Sequence, residues 1–247
     1  MSGHSHYSTI KRQKESKDAA KGKIFSKMAR AIAIAIKSGG GADPTQNYKL
    51  RMAIEQAKAA NVPKANIDRI LSRSQEVGNY DEVTYEGYGP GGIAVIVDTA
   101  TDNRNRTSQE IKNIFERSGG SLAGPGAVSY NFEPKVLMLV QKEADVDAQM
   151  LKLIDLGVED IEESQDGLEV YVSTKDAGNI KEKLEKGGFK ISSFETIRKP
   201  KSLLSIMDES KAKKTIAFLE SLEDLDDVQN VYSNLDIPED IAKRITQ

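Results

Sequence analysis

Tyr85-Glu86-Gly87-Tyr88-Gly89-Pro90-Gly91-Gly92, then the apolar run Ile93–Val97, then Asp102-Asn103-Arg104-Asn105-Arg106-Thr107 is the stretch whose reading decides the fold. The apolar run is short and β-branched, which suits a buried strand. The glycines and proline ahead of it mark a backbone that turns sharply and comes close to a neighbour. Behind it, Thr107 and Glu110 read as a capping box, so a helix is expected from about Ser108.

Arg104 and Arg106 would then stand beside the positive end of that helix. Cations are disfavoured there unless an anion lies between them and the free N–H groups. A phosphate would satisfy both arginines; so would pairing with a nearby carboxylate such as Glu86 or Asp98. Tyr85, Gly87, Tyr88, Gly89, Gly91 and Gly92, with Asn103, Arg104, Asn105 and Arg106, therefore form a candidate anion or partner site. Gly87, Gly89 and Gly92 also satisfy GxGxxG, but a dinucleotide fingerprint needs a strand before it and a helix opening after it. Here a strand follows, and the Gly-Lys-Ser/Thr ending of a P-loop is absent. The glycines are expected in a strand-to-strand turn.

Outward from that stretch, the 247 residues should hold more than one compact unit. The net charge is only −3, but it is unevenly placed: residues 1–75 carry 15 Lys/Arg against 5 Asp/Glu, and the rest carries 20 against 33. A head of +10 on a body of −13 points to a polyanion partner for the head. The competing arrangement is a charge-balanced dimer in which head meets body. Cysteine is absent, which excludes disulfides, thiol catalysis and zinc–thiolate sites. No apolar run approaches the ~18 residues that span a bilayer, and no secretory signal is visible, so a cytoplasmic location without membrane contact is expected.

Residues 1–15, with Lys11, Arg12 and Lys14, read as a basic arm that orders on binding. A first helix is expected from Asp18 to Ser38, with Ile24, Phe25, Met28, Ile32, Ala35 and Ile36 on one face. Lys23, Lys27, Arg30 and Lys37 fall on the opposite face, four cations with no anion among them, which suits nucleic acid. Asp43-Pro44 reads as an N-cap with proline at the first position of a second helix, running to about Ala60. Pro63 starts a third. Lys49, Arg51, Lys58, Lys64, Arg69 and Arg73 decorate the outside of these two.

After a hinge over 74–81, strands are expected near 82–87 and 93–99, a helix at 108–118 and a strand at 127–133. Pro134 breaks this run. A β-α-β-β-α-β series follows: strand 136–141, helix 145–156, strands 158–163 and 168–173, helix 175–186 and strand 189–196, the ferredoxin-like split pattern. Beyond Pro200 come strand 202–207, helix 209–221 and strand 228–233. The expected fold is thus α+β and multidomain: a three-helix domain, then two ferredoxin-like domains, one inserted in the other. The boundaries are 1–78, 79–133 with 201–247, and 134–200. The acidic groups at 159–163 and 223–227 lack the glycine and twelve-residue spacing of a calcium loop and read as solvated turns.

The chain resembles the YebC family, whose mitochondrial relatives include the translational activator of cytochrome oxidase subunit I. The residues that carry this are Met1-Ser2-Gly3-His4-Ser5 with Ile10, Lys11 and Lys14, Gly22-Lys23-Ile24-Phe25, the Tyr85–Gly92 turn, Asp102–Thr107 and Val231-Tyr232-Ser233-Asn234. His6-Tyr7 departs from the Lys-Trp of many members. The resemblance implies a helical head with two α+β domains, the third inserted in the second, and no enzymatic activity. It also implies a bacterial DNA-binding transcriptional regulator or, alternatively, a ribosome-associated RNA-binding factor that relieves translational stalling.

The residues themselves agree that no catalytic set is present, since two histidines in the arm and no cysteine leave no nucleophile–base pair. No cofactor or metal is expected. The expected phosphate contacts are Lys11, Arg12, Lys14, Lys23, Lys27, Arg30, Lys37, Arg51, Arg69 and Arg73, on DNA or ribosomal RNA. Such contacts give affinity without base identity.

Overall fold

A computed structural model describes residues 18–72, 80–164 and 166–246. The fold is α+β, with a helical N-terminal region followed by antiparallel sheets. It divides into two compact units: Phe132–Lys201, and a second that takes in the preceding residues to Asn131 and the following ones from Ser202. The basic arm with Lys11, Arg12 and Lys14, as well as Arg73 and most of the expected hinge, lies outside the described residues; so does the side chain of Lys23.

Among the described residues, three helices form the head: α1 (Asp18–Ser38), α2 (Tyr48–Ala59) and α3 (Lys64–Ser72). Their apolar faces close on one another through Ile32, Ala35 and Ile36 of α1, Leu50, Ala53, Ile54 and Ala57 of α2, and Ile67 of α3. The α2 start differs from the expectation. Asp43 closes a local turn by accepting from the backbone N–H and hydroxyl of Thr45, at 2.9 and 2.7 Å. The cap is Asn47, whose Oδ1 accepts from Leu50 N at 2.9 Å while its amide donates to Ala35 O and Gly41 O, both at 2.7 Å. Asn47 is buried, and a side chain on Gly39 would strike its amide. A residue that joins two helices outcompetes one that only caps its own turn.

The second part of this unit is built from β1 (Asp81–Tyr88), β2 (Ala94–Thr101), α4 (Arg104–Arg117) and β3 (Ser121–Ala123). Residues 124–131 lead from β3 into the insertion. The sheet order is β3-β1-β2-β9, all antiparallel, with β9 (Val228–Ser233) supplied from beyond the insertion. Helices α4 and α7 (Glu209–Glu223) cover one face through Ile111, Phe115, Ile216 and Leu219 packed on Val95 and Val97. Two short strands, β8 (Leu204–Ser205) and β10 (Leu235–Asp236), pair in parallel, and α8 (Glu239–Thr246) ends the described chain.

Several expected elements shift. The strand that follows α4 is Ser121–Ala123, not 127–133, and 202–207 contributes only the two residues of β8. The sheet therefore has a central β1–β2 hairpin flanked by two crossover strands, and its order is not the ferredoxin-like one. Glu86 explains the missing strand: its buried carboxylate accepts from the N–H groups of Gly126, Val128 and Ser129 at 2.8–2.9 Å, which holds that segment as a loop. Donors bound to a carboxylate are not available to a ladder.

The Phe132–Lys201 unit follows the split pattern as expected: β4 (Phe132–Val140), α5 (Val146–Asp155), β5 (Asp160–Glu163), β6 (Leu168–Ser173), α6 (Ala177–Lys186) and β7 (Ile191–Pro200). Its antiparallel order, β5-β6-β4-β7, is the ferredoxin-like arrangement. Val136, Met138, Val140, Val170 and Val172 meet Leu153, Ile180 and Leu184 of the helices. Pro134 lies inside β4, not before it. It sits where β4 is paired with β7 alone, because pairing with β6 begins at Lys135, so its missing N–H removes no ladder bond on that open edge.

Candidate nucleic-acid interface

The head presents Lys37, Lys49, Arg51, Lys58, Lys64 and Arg69 to solvent. Against them, the described acidic side chains of the head are Asp43, Glu55 and Asp68, of which Glu55 is half-buried. Arg51 is oriented by its own helix entrance, donating to Pro44 O at 3.1 Å and Thr45 O at 3.2 Å. Lys49 reaches Ser38 Oγ at 3.4 Å, at the end of α1. Arg51 and Lys58, seven residues apart, share one stripe of α2.

Two of the cations expected on the α1 face are placed differently. Lys27 Nζ donates to Glu223 O at 2.7 Å. Arg30 donates to Asp226 O, stands 3.4 Å from Asp227 Oδ1 and lies over the Tyr80 ring at 5.7 Å. Both therefore meet the turn between α7 and β9, not solvent. The notion of head meeting body holds inside one chain for this pair.

The Asp102–Thr107 segment forms the other half of that junction. Asn103, not Thr107, caps α4, accepting from Arg106 N at 3.1 Å, so the helix starts four residues before the expected position. Thr107 is fully buried and gives its hydroxyl to Asp227 Oδ2 at 2.6 Å. The same oxygen accepts from Thr101 at 3.0 Å and from Arg106 Nη2 at 2.7 Å. Arg106 also pairs with Asp102 at 2.8 Å, and Arg104 pairs with Asp81 at 2.9 Å. The two arginines thus have carboxylate partners, and these are Asp81, Asp102 and Asp227, not Glu86 or Asp98.

Burial alone would push the Asp227 carboxyl up, but the Thr107 hydroxyl, the Arg106 guanidinium and the Thr101 hydroxyl together hold it below the usual carboxylate range. Arg106 is held more firmly protonated by the same bond to Asp227 and by Asp102. Glu86 behaves as Asp227 does: burial opposes its charge, and the N–H groups of Gly126, Val128 and Ser129 outweigh burial and lower its pKa. Neither carboxylate is available to a metal ion, and among the described residues no group of three His, Asp or Glu is placed to hold one.

The glycine turn is explained by packing and backbone conformation. A methyl on Gly87 would lie 2.6 Å from Phe115 Cε1, and one on Gly89 would lie 2.6 Å from Phe218 Cε1. Those two rings meet edge-on with centroids 5.0 Å apart, so the glycines form the socket for an aromatic pair. Gly91 and Gly92 have φ of 78° and 83°. Tyr85 donates to Arg104 O at 3.4 Å, and Tyr88 to Ala127 O at 3.1 Å, while Asn105 is exposed. Asn234, at the end of the Val231–Asn234 motif, accepts from Ala94 N at 2.8 Å and donates to Ser202 O at 3.3 Å. Asp227 carries no distinguishing signal in the sequence, where it reads as one more acid, and Glu86 is marked there only as a possible partner of the arginines, not as the anchor of Gly126, Val128 and Ser129.

The N-terminal domain of TACO1/YebC proteins matches residues 5–77, and the second and third domains of the same family match 80–235. The chain belongs to the TACO1/YebC family. A relative from Dictyoglomus thermophilum, described as a probable transcriptional regulatory protein, is 43% identical over the full length of both chains. A Chloroflexus aggregans relative with the same description is 43% identical over 99% of each. The crystal structure of a conserved hypothetical protein from Aquifex aeolicus superposes with a TM-score of 0.82 at 42% identity, covering 90% of this chain and 93% of that one. The descriptions of the two relatives name a regulatory role and no enzymatic activity. Among the described residues, no helix is long and apolar enough to cross a membrane.

Proposed function

We propose that this TACO1/YebC chain is a non-enzymatic regulator that binds nucleic acid through its helical head, while the α+β units position that grip. The observation that carries the reading is the excess of exposed cations on α1–α3: Lys37, Lys49, Arg51, Lys58, Lys64 and Arg69. Lys27 and Arg30 are engaged within the chain and leave the primary set, while Arg104 and Arg106, expected as a separate anion site, each have a carboxylate partner. The basic arm, Lys23 and Arg73 extend the set along the sequence. We further take 1–78, 79–133 with 201–247, and 134–200 as the working domains.

The descriptions of the relatives favour DNA as the polymer, in a transcriptional role. A salt titration tests the reading. Reversing Arg51 and Lys58 to Glu on one stripe of α2 should flatten the dependence of log affinity on log salt by about 1.8 for duplex DNA, at ~0.9 per phosphate contact. Reversal of exposed Lys152 on α5 should leave it unchanged. An unaltered slope for the α2 variant would remove the head from the interface. Tighter, sequence-indifferent binding to RNA than to DNA, with co-sedimentation on ribosomes, would move the role to translation.

A further inference from the structure

Glu223-Asp224-Leu225-Asp226-Asp227 closes α7, at the helix end where free carbonyls and the negative pole of the dipole coincide. Its oxygens hold Lys27 and Arg30 of α1 as phosphate oxygens would: an ammonium on Glu223 O, and a guanidinium on Asp226 O and Asp227 Oδ1. Only 20% of the Arg30 side chain is exposed. Two cations of the α1 face are therefore covered by a segment of the same chain that has the charge and acceptor chemistry of a polyanion.

Two features make this contact separable. The apolar side chains of the head form their own cluster, and those of the outer sheet form another, with no residue common to both. Parting α1 from the turn breaks the polar contacts of Lys27 and Arg30, which water can replace, and the limited packing of α1 on β2 and β9, without opening either cluster. Asp227, although buried, would not be orphaned, because Arg106, Thr101 and Thr107 stay bound to its other oxygen.

We propose that the α7–β9 turn is a built-in competitor for nucleic acid, covering Lys27 and Arg30 in a latched head and yielding them to phosphates in a released one. This rests on the nucleic-acid reading above and adds regulation to it. The released head holds two more phosphates than the latched head, so affinity depends on ionic conditions and on whatever else binds the turn.

The cysteine-free chain makes the test direct. Ser26 and Asp224 are exposed and adjoin Lys27 and Glu223, which are in contact. Replacing both, Ser26→Cys and Asp224→Cys, and bridging them with a short bis-maleimide holds the latch closed. Binding of a fluorescein-labelled DNA duplex and of an RNA hairpin is then measured across a salt series, with and without the bridge. The bridged protein should bind more weakly, and its salt slope on the duplex should be shallower by about 1.8, the share of two phosphate contacts. A second variant, Asp224→Asn with Asp226→Asn, should act oppositely and tighten binding without a bridge. Steep, equal slopes with and without the bridge would overturn the latch and leave the binding function standing. Absence of salt-dependent binding in both forms would overturn the two together.

Discussion

Asp227→Ala is the substitution that most directly probes the junction built by the Asp102–Thr107 segment. The carboxylate is 4% exposed, and its Oδ2 accepts from Thr101, Thr107 and Arg106. Arg106 is largely solvated and keeps Asp102, so its loss of Asp227 is cushioned by water. The two threonines are fully buried, and they can share one bond between themselves at 2.7 Å and another to Asn103 O at 3.2 Å. Two charge-assisted bonds are then exchanged for neutral ones about half as strong, and Arg30 loses its carboxylate partner. At about 1.5–3 kcal/mol for each bond to a charged group, the expected cost is roughly 3 kcal/mol. For a unit of this size that corresponds to a fall in melting temperature of about 6–12 °C.

The assay is calorimetric and chemical unfolding from neutral pH downward, paired with a double-mutant cycle through Thr107→Val. The carboxyl is held below its unfolded value of ~3.9, so its contribution is complete above that pH. Below it, the unfolded chain takes up the proton first, and the contribution is lost as pH falls through the lower native pKa. The gap between wild type and variant should therefore be constant down to about pH 4 and narrow beyond. A variant within about 0.5 kcal/mol of wild type, or a gap that widens in acid, would refute the assignment of Asp227 as the junction's charged centre.

Glu86→Gln should cost about 2–4 kcal/mol, because an amide brings its own donors to three backbone N–H groups that now share a carboxylate. Hydrogen exchange should rise at Gly126, Val128 and Ser129 before the rest of the sheet. Gly87→Ala and Gly22→Ala should move stability in opposite directions in denaturant titrations. The first drives a methyl into Phe115 and Ser121 O, both at 2.6 Å, for a loss of about 1–3 kcal/mol; the second sits exposed in α1 with nothing within 4 Å and should gain about 0.5–1 kcal/mol.

Periodicity made the elements legible, but their partners were not. The helices of the head and the whole β-α-β-β-α-β series follow from local spacing, because each apolar face is written within its own element. Which oxygen caps a helix was less legible. Asp43 and Asn47, or Asn103 and Thr107, are equally eligible by residue type, and the choice falls to the side chain that also satisfies groups elsewhere: Asn47 through Ala35 O, with Thr107 claimed by Asp227. Sheet order was lost for the same reason. β2 pairs with β9 across the whole inserted unit, and the loop that replaces the expected strand at 127–133 is held by a glutamate 40 residues earlier.

Charge shows this limit most clearly. A count along the chain gives the first 75 residues an excess of cations and the remainder an excess of acids, but the count cannot say which of them face each other. Lys27 and Arg30 have the right spacing for a basic stripe, yet they meet the most acidic turn of the outer domain. Helix α1 is amphipathic in two senses as a result: its apolar face builds the head, and part of its basic face docks the head on the sheet. Segregation of charge is then compatible with both an external polyanion and an internal one, and the two share Lys27 and Arg30. A site that can satisfy those cations twice, once from within and once from outside, has the means to make binding conditional, because each phosphate gained must first displace an oxygen of the turn.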